Sequence, residues 1–386
     1  MKRRNFLKIA GSTGVILAAS GVGIGSFMAT RTPHAALKPW RTAGGSQYAD
    51  PMRRALSFAI LAPNPHNRQP WVVDLKSGTE AVLTCDLQRL LPATDPFSRQ
   101  ITIGLGCFLE LLTLAATHSG HRAQITLFPE GEPGEHLDTR PVAHMQLIEE
   151  SQITEDPLLA HVLYRHTNRN AYDTSRSITE DALHEIVRAA SIDVLAEGVV
   201  HGPQLQALRT LTRDALRDEI LDPKAFQESV DLMRIGRTEI EANPDGIYLG
   251  GAFLETLNLV SMLTREELAD PDSSAFQVGL DMVDEQALTA MGFVWINTLS
   301  NDRFDQIMAG RSYLRVALRA TSLGLAMQPM SQALQEYATM QSHFEQVHMM
   351  LTEGAGERVQ MLARLGYAEE VRPSPRWALS TRIKRS

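Results

Sequence analysis

The chain has 386 residues, 44% of them hydrophobic and 21% charged, with a formal net charge of −8. That is apolar material for more than one core and too apolar for a disordered polymer. Residues 1–35 hold five basic side chains and no acid, leaving −13 on the rest, and an acidic body excludes nucleic acid, which needs a basic face. Cys85 and Cys107 are spaced as in no zinc or redox motif, which excludes a disulfide framework. A single disulfide stays open beside the plainer reading of two buried thiols.

The chain starts Met1-Lys2-Arg3-Arg4-Asn5-Phe6-Leu7-Lys8, followed by a mildly apolar stretch from Ile9 to Ala29. This resembles a twin-arginine export signal, departing from it only at Lys2, where that pattern has Ser or Thr. The resemblance implies the twin-arginine export machinery as a partner, a periplasmic location and a cofactor loaded before export. No Ala-x-Ala site stands out, so residues 1–35 serve as a cleaved signal or as a retained anchor. An ordinary membrane anchor is the alternative.

Residues 36–50 read as a linker. A helix is expected over 51–62, with Pro51 near its start and Pro63 and Pro65 ending it. Strands are expected over 71–75 and 81–86, a helix over 102–119, and strands over 122–128 and 144–148. A second half opens near residue 155. Thr179 caps a helix to residue 190, and residues 192–200 alternate as a strand. Helices are expected over 203–217 and 225–241. Residues 243–285, rich in Gly, Asp and Pro around an apolar helix at 251–263, read as a lid. A strand over 292–299, a helix over 303–323 and two further helices lead to Pro373-Ser374-Pro375. Gly106–Gly120 and Gly310–Gly324 share five identical residues at an offset of 204, which suggests a duplicated unit.

Two segments carry chemistry. In Ala62-Pro63-Asn64-Pro65-His66-Asn67-Arg68-Gln69-Pro70-Trp71 a proline-framed loop presents Asn64, His66, Asn67 and Gln69 between a helix and a strand. Fixed amides suit the edge of a heterocycle with alternating C=O and N–H groups, although a plain polar turn would look the same. The segment resembles the Asn-x-Gln-Pro-Trp signature of the nitroreductase superfamily, departing at Asn64, where that family has Ser. Arg165-His166-Thr167-Asn168-Arg169 is similar to the family's arginine arm, with His166 replacing its second Arg and Thr167 its Ser. Two guanidiniums four residues apart can fork a phosphate.

The resemblance, closest to the Acg-like branch, implies an α+β, nitroreductase-like fold whose two fused halves, 51–154 and 155–386, mimic the family dimer in a monomer. It implies FMN as cofactor, with Arg165, Thr167 and Arg169 on its phosphate and Asn64, His66, Asn67 and Gln69 near its ring. Weaker carry-overs put Met330 and Ser331 beside the ring and Arg376 on the phosphate. No protein nucleophile or metal is called for. No third ligand joins His118 with His121 or His161 with His166, and no Gly-x-Gly-x-x-Gly supports a Rossmann domain. The expected activity is an FMN-dependent oxidoreductase passing electrons from an unknown donor to a small-molecule acceptor. An FMN-sequestering protein with little turnover and a fold that has lost its flavin are the rivals.

Overall fold

The computed structural model describes residues 30–384, so the twin-arginine motif lies outside the described residues. Helix α1 (Pro51–Ala59) starts with proline at N1, and the Asp50 side chain accepts from the Arg53 N–H at 2.8 Å, a standard N-cap. Strands β1 (Trp71–Leu75) and β2 (Glu80–Cys85) form a hairpin. Helix α2 (Arg99–His118) follows, its first N–H groups held by the Asp95 carboxylate at 3.1 and 2.9 Å from Gln100 and Ile101. It is long and apolar enough to cross a membrane, yet it is almost wholly buried as a core helix. Strands β3 (His121–Leu127) and β4 (Ala143–Glu149) complete an antiparallel sheet of order β1-β2-β4-β3.

The second half repeats this plan. After α3 (Glu180–Val187), capped by Thr179, comes β5 (Leu195–Val199). Later come β8 (Gly292–Thr298), the long helix α10 (Arg303–Ser322), β9 (Ala326–Pro329) and β10 (Arg358–Gly366). Its sheet is antiparallel with order β5-β8-β10-β9. Matched in chain order, the two sheets have one topology.

The halves meet on α2 and α10. A Cβ added to Gly106 would lie 2.2 Å from the Ile307 carbonyl oxygen, and one added to Gly310 would lie 2.0 Å from that of Ile103. Ile103 and Ile307 are themselves 204 residues apart, as the glycines are. The contact is therefore reciprocal, as across a two-fold axis, and only glycine allows the backbones so close. Arg99 and Arg303, again 204 apart, each cross to the opposite half. Arg99 donates to the carbonyls of Leu334 and Gln360, both at 2.7 Å, and Arg303 to those of Phe97 and Glu135 at 2.8 and 2.6 Å. The tail also crosses: Ile383 pairs in parallel with Val73, and the β1 edge gains the bonds Val73 N–H to Arg382 O and Lys384 N–H to Val73 O, both 2.8 Å.

Between β5 and β8 lie α4 (Gly202–Leu221) and a long insert. The insert comprises α5 (Pro223–Asp231), β6 (Met233–Ile235), α6 (Gly236–Ala242), β7 (Ile247–Leu249), α7 (Ala252–Leu259), α8 (Arg265–Ala269) and α9 (Ser274–Leu288). It has its own small core of Ile235, Leu257 and Leu263.

Several expectations are corrected here. The helix expected over 225–241 ends at Asp231, β6 follows, and Gly236, whose φ of +79° no helix interior accepts, starts a separate helix, so the insert begins some twenty residues before the expected lid. Residues 358–366 form a buried strand where a helix was expected. Their Arg, Gln, Met, Leu and Ala favour helices, and burial of both faces removes the alternation that marks a strand. Helix α11 (Gln341–Leu351) is the one α-helix described between Gly324 and Pro373. The linker at 36–50 is packed: a short helix, Lys38–Thr42, buries Trp40.

Candidate functional site

The motif loop leaves α1 through Leu61 and Ala62 and turns sharply. His66, Asn67 and Gln69 have φ of 46°, 51° and 51°, left-handed values that cost non-glycine residues free energy and cluster at functional sites. The loop's amides hold it in this shape. Asn64 accepts from the Gln69 N–H at 2.7 Å and donates to Ala62 O at 3.0 Å. Gln69, fully buried, donates to Pro244 O at 2.7 Å and accepts from the Trp377 N–H at 2.9 Å. Asn67 donates to Pro375 O at 3.0 Å and accepts from the Arg376 guanidinium. The side chains expected at a ring edge thus tie the loop to the insert and to the tail.

The arm lies along β9. Thr167 bridges Met327 in parallel, and the Asn168 N–H donates to Met327 O at 3.2 Å. Arg364, fully buried on β10, clamps the arm by donating to Asn170 O at 2.7 Å while its guanidinium sits 3.7 Å from the centre of the Tyr172 ring.

At the end of α1 the arm and the tail converge. Arg165 donates to Leu61 O at 3.4 Å, and Arg376 donates to the same oxygen and to Ala62 O, both at 3.2 Å. Arg376 also reaches Ser374 Oγ at 2.5 Å. The two side chains are 5% and 3% exposed. Among the described residues neither has a carboxylate partner, and the anionic forms that could offset Arg165 belong only to Tyr313 and Cys107, which burial holds neutral. Burial, then the charge of Arg165, pushes Arg376 down to about 9. It stays charged at neutral pH, so two buried cations stand side by side uncompensated.

Other groups gather round them. His66 is pushed down to about 4 by desolvation and then by Arg169 and Arg68. His166 is pushed down to about 4 by burial and then by Arg165 and Arg376. Both imidazoles are neutral at pH 7. His66 Nδ1, His166 Nε2 and Arg376 Nε are buried without a hydrogen-bond partner. Trp40 meets His166 edge-on with centroids 5.2 Å apart and lies 5.4 Å below the Arg376 guanidinium. Tyr248, on β7, has its hydroxyl pushed up by burial, with Arg169, Arg376 and Arg372 in electrostatic range.

The structure therefore brings together Arg165, Arg169, Arg376, His66, Asn67 and His166. Met330 and Ser331 make other contacts. Met330 packs in the second core, its N–H spent on Leu362 O at 2.8 Å, and Ser331 opens a short 3-10 turn. Trp40 and Tyr248 were missed. A tryptophan in a polar linker, and a tyrosine between Gly246 and Gly250, were the available signals.

No family model matches the chain. A Mycobacterium tuberculosis protein named "Putative NAD(P)H nitroreductase" is 27% identical over 345 residues, 86% of this chain and 90% of its own. This similarity over most of the chain, with the motif loop and the arm both present, supports the nitroreductase superfamily. Within it, the chain is similar to Acg of the same organism, 29% identical over 168 residues, 42% of this chain and 49% of that protein. A solved nitroreductase with bound FMN from Desulfitobacterium hafniense covers 60% of this chain and 100% of its own at 14% identity, with a TM-score of 0.37.

Proposed function

We propose that the chain binds FMN between its halves and works as an oxidoreductase of nitroreductase type. The observation that carries this is the pair of buried, carboxylate-free guanidiniums at Leu61. An uncompensated buried charge is costly, and a phosphate is the ligand that two or three arginines fit. The unpartnered atoms of His66, His166 and Arg376 fit a ligand with further polar groups. Arg165, Arg169 and Arg376 would hold the phosphate, and Tyr248 and Trp40 would screen it from water. FMN, when bound, supplies two-electron transfer between a donor and an acceptor. The acceptor is a small molecule, and the names of the relatives make NAD(P)H the first donor to try. The test is the absorption spectrum of the purified chain and identification of the released chromophore. One FMN per chain supports the reading, and a colourless protein that refuses added FMN ends it. Light scattering at the mass of one chain supports a monomer that stands in for the family dimer.

The second reading, FMN held with little turnover, is favoured by how firmly the insert is fastened. Asp245 pairs with Arg89 and, at 3.1 Å, with Arg234, and Glu228 accepts from Ala93 N–H, Thr94 N–H and Thr94 Oγ at 2.8, 3.0 and 2.6 Å. A bound flavin that neither NAD(P)H nor dithionite bleaches at a catalytic rate would select it. Export by the twin-arginine route rests on Arg3 and Arg4. Their replacement by lysines should leave the chain in the cytoplasmic fraction, and undisturbed export would refute the route.

A further inference from the structure

His66 is the most constrained residue of the motif loop. Its backbone is left-handed, its side chain is half-buried, Nε2 lies 3.1 Å from Ser229 Oγ, and Nδ1 is buried without a partner. Ser229 is on α5 of the insert, 8% exposed, and among the described residues its hydroxyl makes no other hydrogen bond. A ring that burial and two neighbouring arginines keep neutral carries one N–H and one lone pair. Whichever role Nε2 takes toward the hydroxyl, Nδ1 takes the other.

We infer that Ser229 is a positioning residue: by holding Nε2 it sets the tilt of His66, and so the direction of the polar contact that Nδ1 presents to the ring edge of the ligand between the halves. This rests on the FMN reading above. It joins the insert to the site through a group that the Asn-x-Gln-Pro-Trp loop itself supplies, while the loop's amides are spent on bracing. The ligand chemistry at this point is that of a heterocycle edge with adjacent C=O and N–H groups, which takes either tautomer but only one at a time. The outer face is cationic, since Arg169 of the arm and Arg68 of the loop are the charges in range of the ring.

The test uses the full chain loaded with FMN. The FMN dissociation rate and the position of the visible flavin band are measured for the wild type, Ser229→Ala and Ser229→Thr. Loss of one ligand hydrogen bond should speed release in Ser229→Ala by roughly three- to tenfold and move the band. Ser229→Thr, which keeps the hydroxyl, should restore both. Wild-type rate and band in Ser229→Ala would overturn the inference while leaving the FMN reading intact. Equal effects in both variants would also overturn it, since a packing role alone does not distinguish hydroxyl from methyl. A wild-type chain that holds no FMN fails the cofactor reading first, and this inference with it.

Discussion

Leu61 and Ala189 hold the same place in two copies of one unit. Each follows the C-cap of a short amphipathic helix, and each carbonyl takes a guanidinium. At Ala189 the donor is Arg315, at 3.2 Å. Arg315 is also 2.9 Å from Glu110 and 3.2 Å from Asp156, and Glu110 holds Arg311 at 2.8 Å as well. That end of the molecule is neutralised by its own side chains. At Leu61 two arginines arrive and no carboxylate follows. The two corners are equivalent in the two sheets' shared topology and differ in charge compensation, and the proposed phosphate falls at the one that lacks carboxylates.

The sharpest way to break this comparison is to remove the cations at the first corner. Arg165→Met with Arg376→Met should weaken FMN binding by roughly 10²–10³-fold, since charge-assisted contacts to phosphate are lost. The flavin-free fold should lose little stability, because uncompensated buried charges leave with the side chains. Equilibrium dialysis and thermal melts of the flavin-free protein read the two effects. A double variant with full flavin content would dissolve the distinction between the corners. The second corner should behave in the opposite way. Glu110→Gln strands Arg311, leaves Arg315 with Asp156 alone, and should cost about 2–4 kcal/mol in a denaturant titration, with flavin content unchanged at low temperature.

The repeat and the site were legible to different degrees. Gly106 and Gly310 could be matched by offset alone, and the structure gives them one reciprocal role. The loop and the arm could be read because their residue types are rare in combination. Their hydrogen bonds could not, because partners such as Pro244, Pro375 and Trp377 lie more than 170 residues away in the chain. Arg376 was visible only as a basic residue near a proline stop; its burial against Leu61 is a tertiary fact. The strand at 358–366 was illegible for a local reason, since a strand buried on both faces has no period to detect. Asp245 sits in the Gly-rich stretch expected as a lid and Ser229 on an expected helix, and what turns each inward is a partner more than 150 residues away, Arg89 for Asp245 and His66 for Ser229.

The helix crossing gives a smaller prediction. Gly106→Ala and Gly310→Ala each push a methyl against a carbonyl of the other half, and each should cost about 1–3 kcal/mol by overpacking. If the contact is one symmetric unit, the double variant should cost less than the sum, because the first methyl already parts the helices. Strict additivity in a double-mutant cycle would deny the coupling.

The smallest effect is a difference in pH dependence between FMN-loaded and flavin-free protein. His66, His166 and His348 have folded values near 4 against an ordinary 6.5. Burial is the first cause in each case. A group depressed in the fold binds its proton more readily when unfolded, so stability is full above pH 6.5 and falls as the pH drops towards 4. The slope should approach about 1.4 kcal/mol per pH unit for each histidine within that window. His66 and His166 face the cationic corner while His348 does not, which separates their contributions. A phosphate placed between Arg165 and Arg376 offsets the positive field that helps depress His166, and leaves His348 as it was. FMN-loaded protein should therefore lose less stability between pH 6.5 and 4 than flavin-free protein. Denaturant titrations of both forms across the window measure the difference, and parallel curves would mean that the anion does not sit beside His166.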